Sequence, residues 1–338
     1  MDLPLDTLAA GARHAVSETG RHVVANLFSP GSPLSLTSLT AVLFAAGAIV
    51  LWKARGRRRP VSLRLMARCL LPRRMRGRSM RVDLGLLVFN TTVYGVMFGW
   101  ALVTQDWVSD RLLALAGARG AGLWANAPAA LIVGTVALFL AAELGSYITH
   151  WLSHRIPALW ELHKVHHSAE ALTPATVFRV HPLEGVLFAN VLALTMGVTD
   201  AALTAAFGPA PHDLIVFDRN VLALGGLYLV QHLQHTEFWI MAPGPLRNLI
   251  HSPAHHQIHH SENPAHYGKN LGALLTLWDW VFGTLYTPDA RRPALTFGLG
   301  AAEAKHGSFG DAVARPLAAI TAGARPAMRR RGAAQTAP

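Results

Sequence analysis

The sequence predicts an all-α integral membrane protein, a polytopic helical bundle with a histidine-rich cap on its cytoplasmic side. Of its 338 residues, 51% are hydrophobic and 14% are charged, whereas a soluble domain carries about 25% charged residues. The mean hydropathy is +0.30. Fifteen of the 18 histidines lie between His150 and His266. Because they recur at intervals of three and four residues beside apolar runs, helices that present imidazoles are the predicted building blocks.

The first part of the chain is predicted to cross the membrane twice. Residues 1–33 lack a signal-peptide pattern and are predicted to form a short amphipathic segment. Apolar runs follow at residues 34–52 and 84–103, each with about the twenty residues that a transmembrane helix requires. The region 34–127 is therefore predicted to hold membrane-spanning helices, and its last part, 107–127, an interfacial helix.

A strongly basic loop at residues 53–82 sets the predicted orientation. It contains twelve Lys and Arg residues and no acidic residue; the net charge of the chain is +11, and removing these twelve charges leaves −1. Positive loops stay on the cytoplasmic side of a membrane, and apolar runs flank this loop. Contact with an anionic membrane surface is therefore predicted rather than contact with nucleic acid. In a bacterium, the expected location is the inner membrane.

The histidines of the second part are predicted to face the cytoplasm. A third apolar run at residues 128–148 returns to the cytoplasmic side just before His150. Residues 183–231 are predicted to enter and leave the membrane as a hairpin that ends just before His232. Charge and hydropathy alone define this topology, and it places every histidine cluster on one side. Residues 288–338 form a predicted extension whose Ala-, Gly-, Arg- and Pro-rich tail is expected to be disordered.

Ten histidines at helical spacing are the candidate metal ligands. HWLSH places two histidines four residues apart, and HKVHH and HHQIHH each place three at spacings that share a helix face. A structural zinc site needs four ligands, so ten imidazoles predict two ions. Imidazole suits iron, zinc, copper or nickel, and the single cysteine provides no thiolate site. The candidates are His150, His154, His163, His166, His167, His232, His235, His256, His259 and His260.

A metal transporter or metal-storage protein is the alternative interpretation of the same histidines. Transporters place their ligands near the bilayer midplane on broken helices, whereas these histidines follow the ends of the apolar runs. Metal-buffering tracts are low-complexity segments, whereas the residues between these histidines are varied. Both differences favour a catalytic centre, and consumption of dioxygen would distinguish the two classes.

Several motifs resemble those of the fatty acid hydroxylase and sterol desaturase superfamily. HWLSH, HKVHH and HHQIHH resemble its three histidine boxes, FRVHPLE resembles its Arg-x-His-Pro segment, and LWDWVFGT resembles its C-terminal signature. QHTE, at residues 234–237, is similar to the His-Thr-Glu segment of the alkylglycerol monooxygenase-like branch. The resemblance covers residues 128–287, which are predicted to form the catalytic domain.

The resemblance implies a non-haem di-iron centre that uses dioxygen to oxidise an unactivated C–H bond of a lipid. The expected cofactor is two iron ions, with zinc as a substitute in purified protein. The expected partners are a lipid from the bilayer, dioxygen, and an external reductase, ferredoxin or cytochrome. QHTE favours hydroxylation, and a lipid or sterol desaturase is the alternative within the superfamily. A member with only a structural zinc is a third interpretation, which the full set of boxes opposes. QHTE also identifies His235, rather than His232, as the family's histidine.

Six further residues are predicted to serve the centre, and no catalytic side chain is expected beyond the metal ligands. Ligating imidazoles usually donate their other N–H to a carboxylate or carbonyl, and Glu143 stands two helical turns before His150 on the same face. Arg179 is predicted to bind the substrate, at a polar head group, or else to bind a phosphate; the sequence does not distinguish the two. The supporting candidates are His181 and His266, by their match to the family, and the carboxylates Glu143, Glu237 and Asp279.

Overall fold

The computed structural model describes residues 23–56, 77–94, 103–117, 127–209, 211–300 and 306–323, with Ser17, Gly20 and Arg21. These residues are mainly helical, as predicted. The α-helices are α1 Leu36–Gly56, α2 Arg78–Phe89, α3 Gln105–Ala116, α4 Ala127–Arg155, α5 Pro157–His167, α6 Pro182–Phe207, α7 Val221–Gly226, α8 His232–Gln234, α9 Pro253–His259, α10 Leu277–Val281 and α11 Phe309–Thr321. Shorter elements are π-helical at Asn90–Tyr94 and Leu227–Gln231, and 3₁₀-helical at Pro174–Phe178, Gly244–Asn248 and Pro264–His266.

Helices α4 and α6 pack along each other and form the centre of the fold. Both are long and apolar enough to cross a membrane, over Pro128–Arg155 and Pro182–Phe207. Their close approach depends on Gly145, because a Cβ atom there would lie 2.6 Å from Thr195 Oγ1 and 3.1 Å from Leu192 Cα. Small residues allow such close contact between membrane helices. Helix α3 packs against α6 as well.

The predicted spans agree with the described helices to different degrees. The apolar run at 128–148 lies inside α4, which continues to Arg155 and so carries His150 and His154 on the same helix. The run at 34–52 corresponds to α1, and α3 lies where the interfacial helix was predicted. Within 84–103, residues 95–102 lie outside the described residues, as do residues 57–76 of the basic loop and the tail at 324–338. The predicted orientation in the membrane stays a prediction.

A two-stranded antiparallel ribbon is the exception to the all-α prediction. Strands β1 Ile215–Val216 and β2 Arg219–Asn220 lie inside the predicted hairpin 183–231, between α6 and α7. The side-chain amide of Asn220 donates to the carbonyl oxygen of Thr135 at 2.8 Å, and this bond ties the ribbon to α4. The chain therefore turns back after α6 and returns toward α8.

Arg179 lies in a buried hydrogen-bond network between two helices, and its role in binding substrate stays a prediction. The side chain is 1% exposed and donates to Asp83 Oδ1 at 2.8 Å on α2. It also donates to the Val165 carbonyl oxygen at 2.8 Å and to Ser168 Oγ at 2.7 Å, at the end of α5. The guanidinium therefore joins α2 to α5. Around it, Val82, Leu86, Val165 and Ala312 form a buried apolar cluster that includes α11.

Candidate metal centre

The first histidine group brings together five imidazoles whose ligand nitrogens all lie within 4.8 Å of one another. The turn between α4 and α5 makes this possible, because Ile156 alone separates the two helices and Pro157 begins α5. Proline is favoured at the first position of a helix, where its missing N–H has no intrahelical partner. The group consists of His150 and His154 from α4, His163 and His167 from α5, and His259 from α9.

The second histidine group consists of four buried imidazoles, also within 4.8 Å of one another. Three separations between Nε2 atoms describe it: 3.1 Å from His235 to His166, 2.7 Å from His256 to His235, and 3.0 Å from His260 to His256. His166 comes from α5 and His256 from α9, and His260 is the C-cap residue that directly follows α9. His235 follows α8.

The repeated histidine spacing explains how α5 and α9 serve both groups. Residues four apart on a helix share a face, and the residue between them points to the side. In α5, His163 and His167 face the first group while His166 faces the second. In α9 the pattern is reversed, since His256 and His260 face the second group and His259 the first. Two helices thus divide six imidazoles between two adjacent centres.

The donor set fits a metal ion in each group. For six of these imidazoles, burial comes first among the causes that lower the pKa and favour the neutral form, which has a lone pair on one nitrogen. Nε2 atoms that converge at these distances match the arrangement of imidazoles around a bound cation. An ion at about 2.0–2.1 Å from each nitrogen holds neighbouring ligands roughly 3 Å apart. Burial lowers the pKa of His235 to about 3, and it lowers the pKa well below the ordinary value for His166, His167, His256, His259 and His260.

In the first group, three imidazoles are held from behind by oxygen atoms. His163 Nδ1 donates to Glu184 Oε1 at 2.5 Å, His150 Nδ1 to the Leu271 carbonyl at 2.8 Å, and His259 Nδ1 to the Lys269 carbonyl at 3.0 Å. Each bond fixes the proton on Nδ1 and leaves Nε2 free for a metal ion.

The second group lacks these supports. The Nδ1 atoms of all four imidazoles are buried and have no hydrogen-bond partner among the residues that the structure describes. The two groups therefore offer the same kind of ligand atom in different surroundings.

Glu143 and Asp279 support the first group indirectly, through the backbone at residues 271–275. Glu143 Oε2 accepts from the backbone N–H groups of Leu274 and Leu275 at 2.9 and 2.7 Å. Asp279 Oδ1 accepts from the N–H of Leu271 at 2.7 Å. The Leu271 carbonyl accepts the hydrogen bond from His150 Nδ1. The two carboxylates therefore hold the backbone segment that contacts a candidate ligand, and they do not contact that ligand themselves.

Four other predicted residues lie outside both groups: His181, His232, His266 and Glu237. His181 caps α6, since its Nδ1 accepts from the Leu183 N–H at 3.2 Å and its Nε2 contacts the Val313 carbonyl at 3.1 Å. The ring of His266 lies 5.2 Å from the ring of Tyr286. Of the ten predicted ligands, His232 is the one that the structure does not bring to either group.

Glu184 is the functional candidate that sequence reasoning missed. It is the last residue of FRVHPLE and lies in the first turn of α6, where the helix dipole favours an acidic side chain. The FRVHPLE motif and the position in the first turn of α6 are the sequence signals for Glu184, and the residues predicted from that motif are Arg179 and His181.

The described structure contains a polar cavity at the histidine groups and a separate apolar cleft. His154, His167, His259 and His260 line the small polar cavity, which reaches Gly298, and Gly298 also lines an adjoining cavity of about 390 Å³. The apolar cleft, of about 470 Å³, lies between α4 and α6. The lining of this apolar cleft includes Leu140, Leu144, Leu194, Val198 and Trp278.

Comparison with known proteins finds relatives that match part of the chain. Alkylglycerol monooxygenase from Danio rerio is 30% identical over 155 residues, which are 45% of this chain and 30% of that protein. The Homo sapiens protein of the same name is 29% identical over 164 residues, 48% of this chain and 32% of that protein. The match thus spans about a third of the length of these relatives. No solved structure matches the chain significantly. Residues 135–284 match the family model of the fatty acid hydroxylases, which agrees with the resemblance of the histidine motifs to that superfamily.

Proposed function

We propose that the chain is a membrane-bound monooxygenase that holds one iron ion in each histidine group and hydroxylates a C–H bond of a lipid. The observation that carries the proposal is the pair of adjacent groups, nine imidazoles in all, inside the region that matches the fatty acid hydroxylase family model. When bound, the irons supply the oxidation chemistry that no amino-acid side chain can perform on an unactivated C–H bond. Electrons come from an external reductase, ferredoxin or cytochrome.

The protein's own contribution is to orient the ligands and to limit access of water. Glu184 and the carbonyls of Leu271 and Lys269 hold three imidazoles with Nε2 directed inward. The four imidazoles of the second group are at most 7% exposed. Fixed ligands in a nearly dry site need little rearrangement during a reaction.

The apolar cleft is the proposed site for the alkyl chain of the substrate. It lies along α4, and Leu144 in its wall precedes His150 by six residues, about 9 Å along the helix axis. Trp278 also lines the cleft, and its indole N–H is buried without a hydrogen-bond partner among the described residues. An oxygen atom on the lipid would satisfy this donor. Alkylglycerols are the first substrates to test, because the relatives carry that name.

The proposed location is a membrane, with both histidine groups at its cytoplasmic edge. The two long apolar helices and the basic residues at 53–82 support this arrangement. A centre at that edge receives lipid from the bilayer and electrons from the cytosol.

Mass spectrometry of lipids after incubation under ¹⁸O₂ tests the proposal. The purified protein is incubated with iron, a reductase system and a panel of alkylglycerols, fatty acyl lipids and sterols, with His259→Ala as the inactive control. The expected product contains one ¹⁸O atom. A product that has lost two hydrogens identifies a desaturase instead. Bound metal with unchanged lipids across the panel would contradict the proposal and favour metal handling.

A further inference from the structure

The two histidine groups differ in a way that concerns how tightly each binds metal. Among the described residues, a carboxylate contacts a ligand of the first group only, at the bond between His163 Nδ1 and Glu184 Oε1. Two carbonyls orient two more of its imidazoles. The second group has one ligand fewer and buried Nδ1 atoms without partners among those residues.

One of the two carboxylate oxygen atoms of Glu184 lacks a hydrogen-bond partner among the described residues. Glu184 is 9% exposed, its Oε2 atom is buried without a hydrogen-bond partner among the described residues, and within them His163 is its ion-pair partner. A buried carboxylate is costly unless positive charge lies nearby. A metal ion on His163 Nε2 supplies that charge through the ring, in the carboxylate–histidine–metal arrangement that raises the basicity of the ligand.

We propose that Glu184 is a positioning residue that makes the first histidine group the tighter metal site, so that the two ions bind in order. The inference rests on the proposed occupancy of both groups. Three imidazoles of the first group are already oriented, so ion binding there costs less side-chain entropy. The second group has no such support and fills later.

Titration of the metal-free, full-length protein with Co²⁺ measures this order, with visible absorption of the bound ion and a competing chelator as readouts. Wild type is expected to bind two ions in two phases. His259→Ala should remove the tighter phase and His235→Ala the weaker one, which assigns each phase to a group. Neither readout requires turnover, so the inference survives if binding is ordered and no lipid is oxidised.

The decisive variant is Glu184→Gln, which keeps an acceptor oxygen near His163 but removes the charge. Loss of such an outer partner weakens metal affinity by roughly 10–100-fold, and the tighter phase alone should weaken. Glu161→Gln is the matched control, because Glu161 lies on the same helix as His163 but pairs with Lys164. The spectrum of Co²⁺ in the first group should also change in Glu184→Gln and not in the control.

Two results would overturn the inference: wild-type affinity in both phases of Glu184→Gln, or weakening confined to the second phase. If Glu184→Gln fails to fold by circular dichroism, Glu184→Asp decides, since it retains the charge. Glu184→Asp is expected to fold and to weaken the tighter phase alone, because its carboxylate is one methylene shorter and is drawn away from His163 Nδ1; a folded variant with wild-type affinity in both phases contradicts the role of Glu184.

Discussion

Two buried polar regions of this protein differ in whether their hydrogen-bonding groups have partners within the protein. Around Arg179, donors meet acceptors: the guanidinium reaches Asp83, Ser168 and the Val165 carbonyl at 2.7–2.8 Å. In the histidine groups, Nε2 atoms face one another at 2.7–3.2 Å, and several Nδ1 atoms have no partner among the described residues. The first region is complete within the protein, whereas the second leaves buried nitrogen atoms without partners among the described residues and could hold a cation.

The difference indicates which buried polar residues bind ligands. A buried donor or acceptor without a partner costs about 1–3 kcal/mol, so a protein retains such groups where a ligand completes them. A satisfied network gains nothing from a ligand. Both regions are buried, and the state of their hydrogen bonds separates structure from function. Four predictions test this comparison.

The largest effect is expected at a ligand. His259→Ala should reduce lipid oxidation more than 100-fold, because even residues behind a ligand contribute roughly 10–100-fold, while the metal-free protein still folds. Turnover and circular dichroism check both parts. His232→Ala is the control, since His232 lies outside both groups and should leave activity near wild type. Equal losses in the two variants would contradict the assignment of ligands.

Arg179→Ala should lower the free energy of unfolding and should not selectively abolish lipid oxidation. The substitution leaves Asp83 buried at 0% exposure without its partner, and breaking such a pair costs about 3–5 kcal/mol. Chemical denaturation of the metal-free protein in detergent measures the loss. The Asp83→Asn/Arg179→Met double variant, which removes both charges, should recover part of the stability. A weakened substrate affinity with unchanged stability would instead support a substrate role for Arg179.

The stability of the metal-free protein should fall as the pH drops below about 6.5. Unfolded histidines bind a proton near pH 6.5, whereas the pKa of folded His235 is lowered to about 3 by burial. The unfolded state therefore binds more protons between these values, and the unfolding free energy falls by about 1.4 kcal/mol per pH unit for each such imidazole. Denaturation curves between pH 7.5 and 5.5 test this. His235→Ala should give a shallower dependence, and an unchanged slope would contradict a buried, neutral His235.

The smallest effect is expected in the apolar cleft. Trp278→Phe keeps an aromatic ring but removes the indole N–H, and loss of one hydrogen bond of about 0.5–1.5 kcal/mol should raise KM by roughly 2–10-fold. Metal content should stay unchanged, because Trp278 lies outside both histidine groups. Kinetics with an oxygen-bearing lipid check the effect. A fall in bound metal with no change in KM would argue against this use of the cleft.

The helical spacing of the histidines is the feature of the site that can be predicted from the sequence. The intervals in HKVHH and HHQIHH predict shared faces, and the structure brings all six of their candidate ligands to the two groups. His232 and His235 differ, because a π-helical turn precedes α8 and His235 leaves helical geometry at φ −92° and ψ 60°. Spacing of three residues therefore does not imply a shared face at that point.

Contacts across long sequence distances were beyond the same reasoning. Arg179 pairs with Asp83, which lies 96 residues earlier in the chain. The FRVHPLE motif contains no signal that predicts this partner. The hydrogen-bond acceptors for His150 Nδ1 and His259 Nδ1 are backbone carbonyl oxygens. Every residue has such a group, so the residue types in the sequence do not predict these bonds. The fold was predictable where apolar runs are long, as in α4 and α6, but not in the short ribbon of β1 and β2.

The most direct test of the central claim is the number of metal ions bound per chain. Iron and zinc are quantified in purified wild type, His259→Ala, His235→Ala and His232→Ala. Two separate centres predict two ions in wild type, one in each of the first two variants, and two in His232→Ala. A single ion in wild type, or two ions retained in both His259→Ala and His235→Ala, would contradict the claim that each histidine group holds its own ion.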